Sequence, residues 1–598
     1  MTTATLPPPK EAPAKTSANK DWLRALELTA GLEQAPARTL PVVIEELALR
    51  FGEAPALLSD GERFSFAGLA DRARRYARWA VDHGLRKGDV VALIMPNRPE
   101  YMAIWLGLSR LGVITALINT QLRGASLAHS LNVADPRHVI VDASLRAGLA
   151  EVAQTFEHGA QIWLHGEALT DWRIDAAVDR YSEADLAALP PPAVTLSDRA
   201  LLIYTSGTTG LPKAANVSHH RLVSWSHWFA GLMDIGPSDR LYDCLPMCHS
   251  AGGVAAIGAA LVGGASVVVA EKFSASRFWD DIVRWDCTLF QYIGELCRYL
   301  VASPPHLLER AHKLRVCCGN GLGGDVWEAF QQRFAIPRIL EFYAATEGAF
   351  SLYNVEGKPG AIGRLPPFLK HRFPAAIVRF DPETGAPMRD ADGFCIPCAD
   401  GEPGEAIGRL GDGGTGRFEG YTDAEASERK LLRGVFAPGD AWVATGDLMR
   451  IDAQGFWYFV DRIGDTFRWK GENVATAEVT AAIRAFEDVE DACVYGVEVP
   501  GASGKAGMAA VVAGPGFDLG GLRRHLARRL PDYARPVFVR LASALELTET
   551  FKLKKQALAA EGWDGSPDPV WIEERDAGAY VRLDDAMARR IRAGDVRL

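Results

Sequence analysis

Residues 203–213 read Ile203-Tyr-Thr-Ser-Gly-Thr-Thr-Gly-Leu-Pro-Lys213, starting within the apolar run Ala200-Leu-Leu-Ile-Tyr204. Four hydroxyls (Thr205, Ser206, Thr208, Thr209), two glycines (Gly207, Gly210) and one lysine (Lys213) thus follow a strand-like segment. Hydroxyls donate to phosphate oxygens, glycines let backbone N–H groups turn inward around an anion, and lysine adds a mobile positive charge. The loop differs from the P-loop pattern: Pro212 precedes the lysine, no Gly-Lys-Ser/Thr closes it, and Ala214-Ala-Asn-Val217 reads as strand. The reading is a phosphate-gripping loop for a nucleoside triphosphate outside the common motor and GTPase folds. A solvated Ser/Thr/Gly turn is the bland alternative.

The chain has 598 residues, 48% hydrophobic and 23% charged, with a formal net charge of −10. That length exceeds one compact core, so at least two domains are expected, and the acidic balance speaks against nucleic-acid binding. Nine cysteines, at 244, 248, 287, 297, 317, 318, 395, 398 and 493, lie mostly in apolar segments with no secretory signal ahead of them, which fits reduced thiols in a cytoplasmic setting. Cys395-Ile-Pro-Cys398 has redox or zinc spacing but lacks a second pair, so core or loop cysteines are expected there. Residues 1–40, opening on Pro, Ala, Thr and Lys, are expected to be a disordered lead-in. Leu245–Ala270 is long enough for a membrane span, yet Gly263-Gly264 splits it, so a buried helix, a turn and a buried strand are expected. Tyr101–Ile118, interrupted by Arg110, is expected to be a core helix.

Between Pro41 and Pro192, short runs such as Val90-Val-Ala-Leu-Ile94 and Val139-Ile-Val141 alternate with helical patterns, the signature of βαβ units and a mainly parallel sheet. About 355–460 the texture turns to Gly/Pro/Asp punctuation with strand fragments, ending in Gly455-Phe-Trp-Tyr-Phe-Val460. A β-rich subdomain is expected there. Helix signals at 476–486 and 519–530 belong to a further compact stretch. The expected fold class is α/β: a large multi-layer domain over 41–463 with mainly parallel sheets, and a small mobile α+β domain with its tail over 464–598.

Five further motifs follow in order: Gly319-Asn-Gly321, Tyr343-Ala-Ala-Thr-Glu-Gly348, Thr445-Gly-Asp447, Asp461-Arg462 with Lys470-Gly-Glu-Asn-Val474, and Thr550-Phe-Lys-Leu553. Together with the phosphate loop they resemble the adenylate-forming superfamily of acyl-CoA synthetases, adenylation domains and luciferases. Phe342-Tyr-Ala-Ala-Thr-Glu-Gly348, Gly439-Asp-Ala-Trp442 and Gly464-Asp-Thr-Phe-Arg-Trp-Lys-Gly-Glu-Asn-Val474 are similar to the fatty-acid transport protein branch, the very-long-chain acyl-CoA synthetases. Tyr580-Val-Arg-Leu-Asp-Asp585 and Ile591-Arg-Ala-Gly594 look like that branch's tail.

The resemblance implies a long-chain fatty acid–CoA ligase using ATP, Mg²⁺ and coenzyme A. It implies that Glu347 holds Mg²⁺, Thr346 donates to the α-phosphate, Tyr343 and Gly319-Asn320-Gly321 flank adenine, and Asp447 with Arg462 meets the ribose. Lys552 aligns with the catalytic lysine, with Lys554 and Lys555 as neighbouring rivals; Phe551 departs from the glycine usual before it. Gly464 and Asp465 occupy the hinge. His249 stands between the acyl pocket and the thiol route, or is a core histidine. Lys470, Gly471 and Arg468 meet coenzyme A phosphates or face water.

Alternatives remain: a ligase for another carboxylate (medium-chain, aromatic or steroid acid), acyl transfer to a carrier protein, and a non-enzymatic fatty-acid transport protein. The segment 245–253 lacks an acid to pair with an amino group, which disfavours amino acids. Expected partners are fatty acid, ATP and coenzyme A, without nucleic acid. A homodimer and peripheral contact with the inner face of a membrane are both left open.

Overall fold

The computed structural model describes residues 17–596 apart from 156–158, 169, 171, 191–192, 206–210, 349, 382–383, 412–416, 471, 501–503, 549–552 and 575–577. Two compact units emerge: residues 1–364 with 418–429, and residues 365–417 with 430–598. The second therefore takes in the β-rich stretch as well as the C-terminal hundred-odd residues.

The first unit is built on two twisted sheets. One has six strands in the order Gln161–His165, His138–Asp142, Val90–Ile94, Ile114–Leu117, Arg199–Thr205 and Lys213–Ser218; all neighbours are parallel except the last pair. The other has eight, with a parallel interior (Ile339–Ala344, Val316–Asn320, Leu289–Ile293, Arg240–Asp243, Ser266–Val269 and Pro55–Leu58) and one antiparallel strand on each edge. Parallel strands buried on both faces read as near-continuous apolar runs, and Val90–Ile94 and Ser266–Val269 are of that kind.

Leu245–Ala270 folds as the sequence suggests: a π-helical turn Ser250–Ala256, a buried helix Ile257–Val262, then the buried strand Ser266–Val269. Two expectations need correction. Tyr101–Ile118 is not one helix: Pro99–Arg110 is helical, Gly112 turns the chain at φ +73°, and Ile114–Leu117 enters the six-stranded sheet. The glycine breaks the run that hydropathy alone leaves continuous.

The 1–40 lead-in also needs correction, because Ala18–Thr29 is a helix with Asp21, Trp22 and Ala25 buried. It lies on the helix His219–Met233 so closely that a Cβ on Gly231 would stand 2.5 Å from Ala25 Cα. Trp22 meets Trp228 and Tyr353 edge-on at 5.9 and 5.7 Å, and Asp21 pairs with Arg338 at 2.7 Å. The polar composition ahead of residue 18 hides an amphipathic face that needs a distant helix to cover it.

In the second unit, an antiparallel sheet joins Ala375–Val378, Gly404–Arg409, Ala441–Ile451 and Phe456–Arg462, with Leu431–Arg433 also on the long strand. A separate five-stranded sheet, Val489–Glu498, Lys505–Ala513, Phe538–Ala542, Val570–Glu574 and Ala579–Arg582, carries the helices Thr476–Arg484 and Leu519–Ala527 near the expected positions. Its core includes Val479, Ile483, Val494, Met508, Leu522, Phe538 and Ile572. Among the described residues no helix is long and apolar enough to cross a membrane.

Candidate adenylate site

The hairpin at the candidate phosphate loop pairs Thr205 with Lys213, on either side of residues 206–210 in the sequence. Ser206, Gly207, Thr208, Thr209 and Gly210 lie outside the described residues. Tyr204 donates its hydroxyl to Ser130 O at 2.6 Å, and a His129 ring nitrogen lies 3.2 Å from Pro212 O, so the helix Gly124–Ala134 braces both arms. On the outer arm, Asn216 N donates to Gly420 O and Thr422 N donates to Ala214 O. Glu419 accepts from Ser218 N at 2.6 Å and Ser218 Oγ at 2.5 Å.

This brings Tyr421 beside the hairpin. Lys213 Nζ lies 5.7 Å from the Tyr421 ring centre, and the Tyr421 hydroxyl donates to Glu347 Oε1 at 2.5 Å. Glu347 Oε2 accepts from no described residue. Arg221, almost fully buried, donates to Thr346 O and to Gly348 O (3.1 Å) and reaches Glu419 Oε1 at 3.5 Å. It ties the 346–348 turn to both the hairpin and the 418–421 segment. Thr346 Oγ1 lies 3.1 Å from Ser250 Oγ, which links that turn to the segment carrying His249. His249 itself is half-buried at the head of the π-helical turn, and Gly253 N donates to its carbonyl at 2.8 Å. A π-turn widens a helix locally and recurs at functional sites.

Asn320 ends the strand Val316–Asn320, and Gly321 turns at φ +80°. A Cβ on Gly319 would stand 2.2 Å from Tyr292 O, so only glycine fits. Tyr343, half-buried, packs on Phe350 with ring centres 5.8 Å apart. Beneath the turn, Glu341 is buried, and burial pushes its carboxyl up to about 8.

Within the second unit, Asp447 stands opposite Arg462 in the antiparallel register, with Arg462 Nε 3.6 Å from Asp447 Oδ1. Asp447 N donates to Thr445 Oγ1 at 3.0 Å, and Lys430 Nζ donates to Thr445 O at 2.8 Å. Glu405, buried below, accepts from Gly446 N at 3.2 Å; burial raises its carboxyl to about 7, and nearby Asp447 adds to the rise. Asp461 caps the helix Thr476–Arg484, accepting from Thr476 Oγ1 at 2.9 Å and from Thr476 N.

Around Gly464, Asp465 N and Thr466 N both donate to Arg462 O at 3.0 Å. Lys555 Nζ is engaged by Asp465 Oδ2 (3.0 Å) and Thr476 Oγ1 (2.7 Å), and Lys554 Nζ pairs with Glu546 at 3.0 Å. Lys552 lies outside the described residues, as does Gly471. Lys470 is exposed at φ +53°, its ammonium 5.5 Å from the Trp469 ring centre. None of the nine cysteines forms a disulfide, and all but Cys398 are buried. Among the described residues no three His, Cys, Asp or Glu side chains gather as a metal site.

Sequence reasoning did not find Arg221, Glu419, Tyr421, Ser250, Glu341 or Glu405. Each acts through a partner remote in the chain. The one available signal was Tyr421's place just before the Thr422-Asp423 turn, where Asp423 caps a short helix.

Mg²⁺ suits a site with few protein ligands, since it keeps waters and phosphate oxygens in its octahedron. A carboxylate with one oxygen held by Tyr421 and the other not engaged by the described residues is such a donor.

The sequence matches the family described as AMP-binding enzyme over residues 44–421 and its AMP-binding enzyme C-terminal domain over 478–552. It is 40% identical over 573 residues to mouse long-chain fatty acid transport protein 1, covering 94% of this chain and 88% of that one. To the medium/long-chain-fatty-acid–CoA ligase FadD6 of Mycobacterium tuberculosis it is 38% identical over 549 residues, covering 91% and 89%. The fold is similar to ATP-bound MatB from Rhodopseudomonas palustris (TM-score 0.72, 26% identity, 88% of this chain and 98% of that one). It is also similar to the anthranilate CoA ligase AuaEII (TM-score 0.75, 20% identity, 87% and 96%). The chain therefore belongs to the AMP-binding, adenylate-forming enzyme family, in the branch of the long-chain fatty acid transport proteins.

Proposed function

We propose that this protein is an AMP-forming long-chain fatty acid–CoA ligase that joins a fatty acid to coenzyme A through an acyl-adenylate. The observation that carries the reading is the 346–348 turn. Arg221 holds it by two carbonyls, Tyr421 holds Glu347, and Lys213 stands at the same tyrosine, beside the arms of the phosphate hairpin. The relatives' names supply the substrate class, and the medium-chain end of FadD6's range stays within it.

A carboxylate meeting a triphosphate brings two anions together, so the first half-reaction needs positive charge and fixed donors where they converge. Glu347 would hold Mg²⁺, which when bound would supply charge neutralisation. Thr205, Ser206, Thr208 and Thr209, the backbone at Gly207 and Gly210, and Lys213 take phosphate oxygens. Thr346 donates to the α-phosphate, and Lys552 bridges the carboxylate and phosphate oxygens. Tyr343 with Gly319, Asn320 and Gly321 takes adenine; Asp447 and Arg462 take the ribose. Loss of pyrophosphate leaves a mixed anhydride. The coenzyme A thiol then attacks its carbonyl, releasing AMP, with His249 on the thiol route and Lys470 and Gly471 toward the nucleotide end of coenzyme A.

We assign residues 464–598 to a mobile C-terminal domain pivoting at Gly464-Asp465, a reading supported by the separate core of the five-stranded sheet. The ligase works in the cytoplasm, and its bilayer-partitioning substrate favours peripheral contact at the inner membrane face; a homodimer is compatible with this reading. Pyrophosphate release is to be measured with fatty acids of graded length, with and without coenzyme A. Release should require ATP and Mg²⁺ and rise from acetate to palmitate. Equal release with both would overturn the long-chain assignment, and none with any acid would overturn the adenylation reading.

A further inference from the structure

One buried carboxylate joins the two elements assigned to the nucleobase. Glu341 lies in the strand Ile339–Ala344, two residues before Tyr343, and is 1% exposed. Its Oε1 accepts from Leu322 N at 3.0 Å, and Oε2 accepts from the Tyr292 hydroxyl. Two donors, one from the strand Leu289–Ile293 two places along the sheet and one from just past the glycine turn, thus converge on one side chain. The turn packs closely on Gly294 on that side. Gly321 is left-handed, and a Cβ on Gly294 would stand 1.8 Å from Gly321 O.

A buried carboxyl is costly, and an apolar pair of similar shape would fill the same volume without that cost. What an apolar pair could not do is hold the Leu322 N–H of the turn at a set distance from the Tyr343 strand. We propose that Glu341 is a positioning residue for the adenine base, fixing the Gly319–Leu322 turn relative to Tyr343. The inference rests on the adenine reading of residues 319–321.

Burial leaves the carboxyl protonated near neutral pH, with its value at about 8. Glutamine keeps the backbone bond, its carbonyl accepting from Leu322 N, and keeps a link to Tyr292 with the direction reversed, its amide donating to the phenol oxygen. Leucine keeps the volume and removes the bonds. A positioning role therefore separates Glu341→Gln from Glu341→Leu, whereas mere filling of space would not.

The test measures ATP-dependent pyrophosphate exchange in wild type, Glu341→Gln, Glu341→Leu, Tyr292→Phe and Asn320→Ala, with GTP as competitor nucleotide and thermal melts alongside. Glu341→Leu should raise the KM for ATP about tenfold, with kcat changed by less than about threefold, as for an interaction made equally in ground and transition states. Its preference for ATP over GTP should fall, and Glu341→Gln should restore both values. If Glu341→Leu does not fold, Tyr292→Phe carries the test, with an expected rise in KM of roughly two- to fivefold for one lost donor. Wild-type KM and discrimination in folded Glu341→Leu, or in Tyr292→Phe when the leucine variant does not fold, overturn the proposal, as does loss in kcat alone. Asn320→Ala separates the two layers. If it raises the KM for ATP while Glu341→Leu does not, only the positioning role fails; if it leaves the KM unchanged, the adenine reading of the turn fails.

Discussion

Tyr421→Phe removes one oxygen and leaves nearly everything else. The ring still faces Lys213, whose ammonium is 5.7 Å from its centre, the backbone bridge to Ala215 is untouched, and the small cluster with Ala215 and Ala426 keeps its volume. What disappears is the 2.5 Å bond to Glu347 Oε1. A hydrogen bond to a charged acceptor is worth about 1.5–3 kcal/mol, which corresponds to roughly 10- to 150-fold in an equilibrium or a rate. If Tyr421 holds Glu347 in the orientation that receives Mg²⁺, the loss falls on the metal. The Mg²⁺ concentration for half-maximal palmitate-dependent pyrophosphate exchange should rise about tenfold or more. The melting temperature should stay close to wild type. A folded Tyr421→Phe with an unchanged Mg²⁺ titration would refute the reasoning and leave the bond as a structural tie.

Asp447→Ala should weaken ATP binding by roughly tenfold or more, the worth of a carboxylate bonded to ribose hydroxyls; unchanged affinity by calorimetry in the folded variant would remove Asp447 from the nucleotide. Lys552→Ala should lose most pyrophosphate exchange yet still transfer acyl groups from supplied acyl-adenylate. Gly464→Pro, which locks φ at the pivot, should hinder thioester formation more than exchange. Equal loss of both halves in both folded variants would end the hinge reading. Glu341 also predicts a pH effect. Its folded value near 8 lies above the ordinary 4.5, so its share of stability is complete below about pH 4.5 and is lost as pH rises through about 8. The stability difference between wild type and Glu341→Gln should therefore fall over that window, with an upper bound of about 5 kcal/mol; a flat difference in chemical denaturation would contradict it.

The alternation of Val/Ile/Leu runs with helical patterns carried the parallel sheets, because strands buried on both faces must be apolar throughout. The motifs marked Glu347, Thr346 and Asp447 as candidates, since each sits within a short run of its own. Their supports were illegible for a physical reason. Tyr421 stands 74 residues from Glu347, and Glu419 is 201 from Ser218; neither separation leaves any local periodicity to read. Arg221 looks like an ordinary helix residue until its guanidinium is found on the Thr346 and Gly348 carbonyls. The helix Ala18–Thr29 was hidden in the same way, because Trp22 and Ala25 acquire meaning only against Gly231 on a helix two hundred residues later.

The central claim is that the carboxylate itself attacks the α-phosphate. Palmitate labelled with oxygen-18 in both carboxylate positions, incubated with the protein, ATP, Mg²⁺ and coenzyme A, tests it directly. Thiolysis breaks the acyl C–O bond of the adenylate, so the bridging oxygen stays on phosphorus. Mass spectrometry should find palmitoyl-CoA with one labelled oxygen and AMP with the other, in equal amounts, and unlabelled pyrophosphate. Label in inorganic phosphate with ADP as product, or unlabelled AMP beside palmitoyl-CoA, would contradict the account.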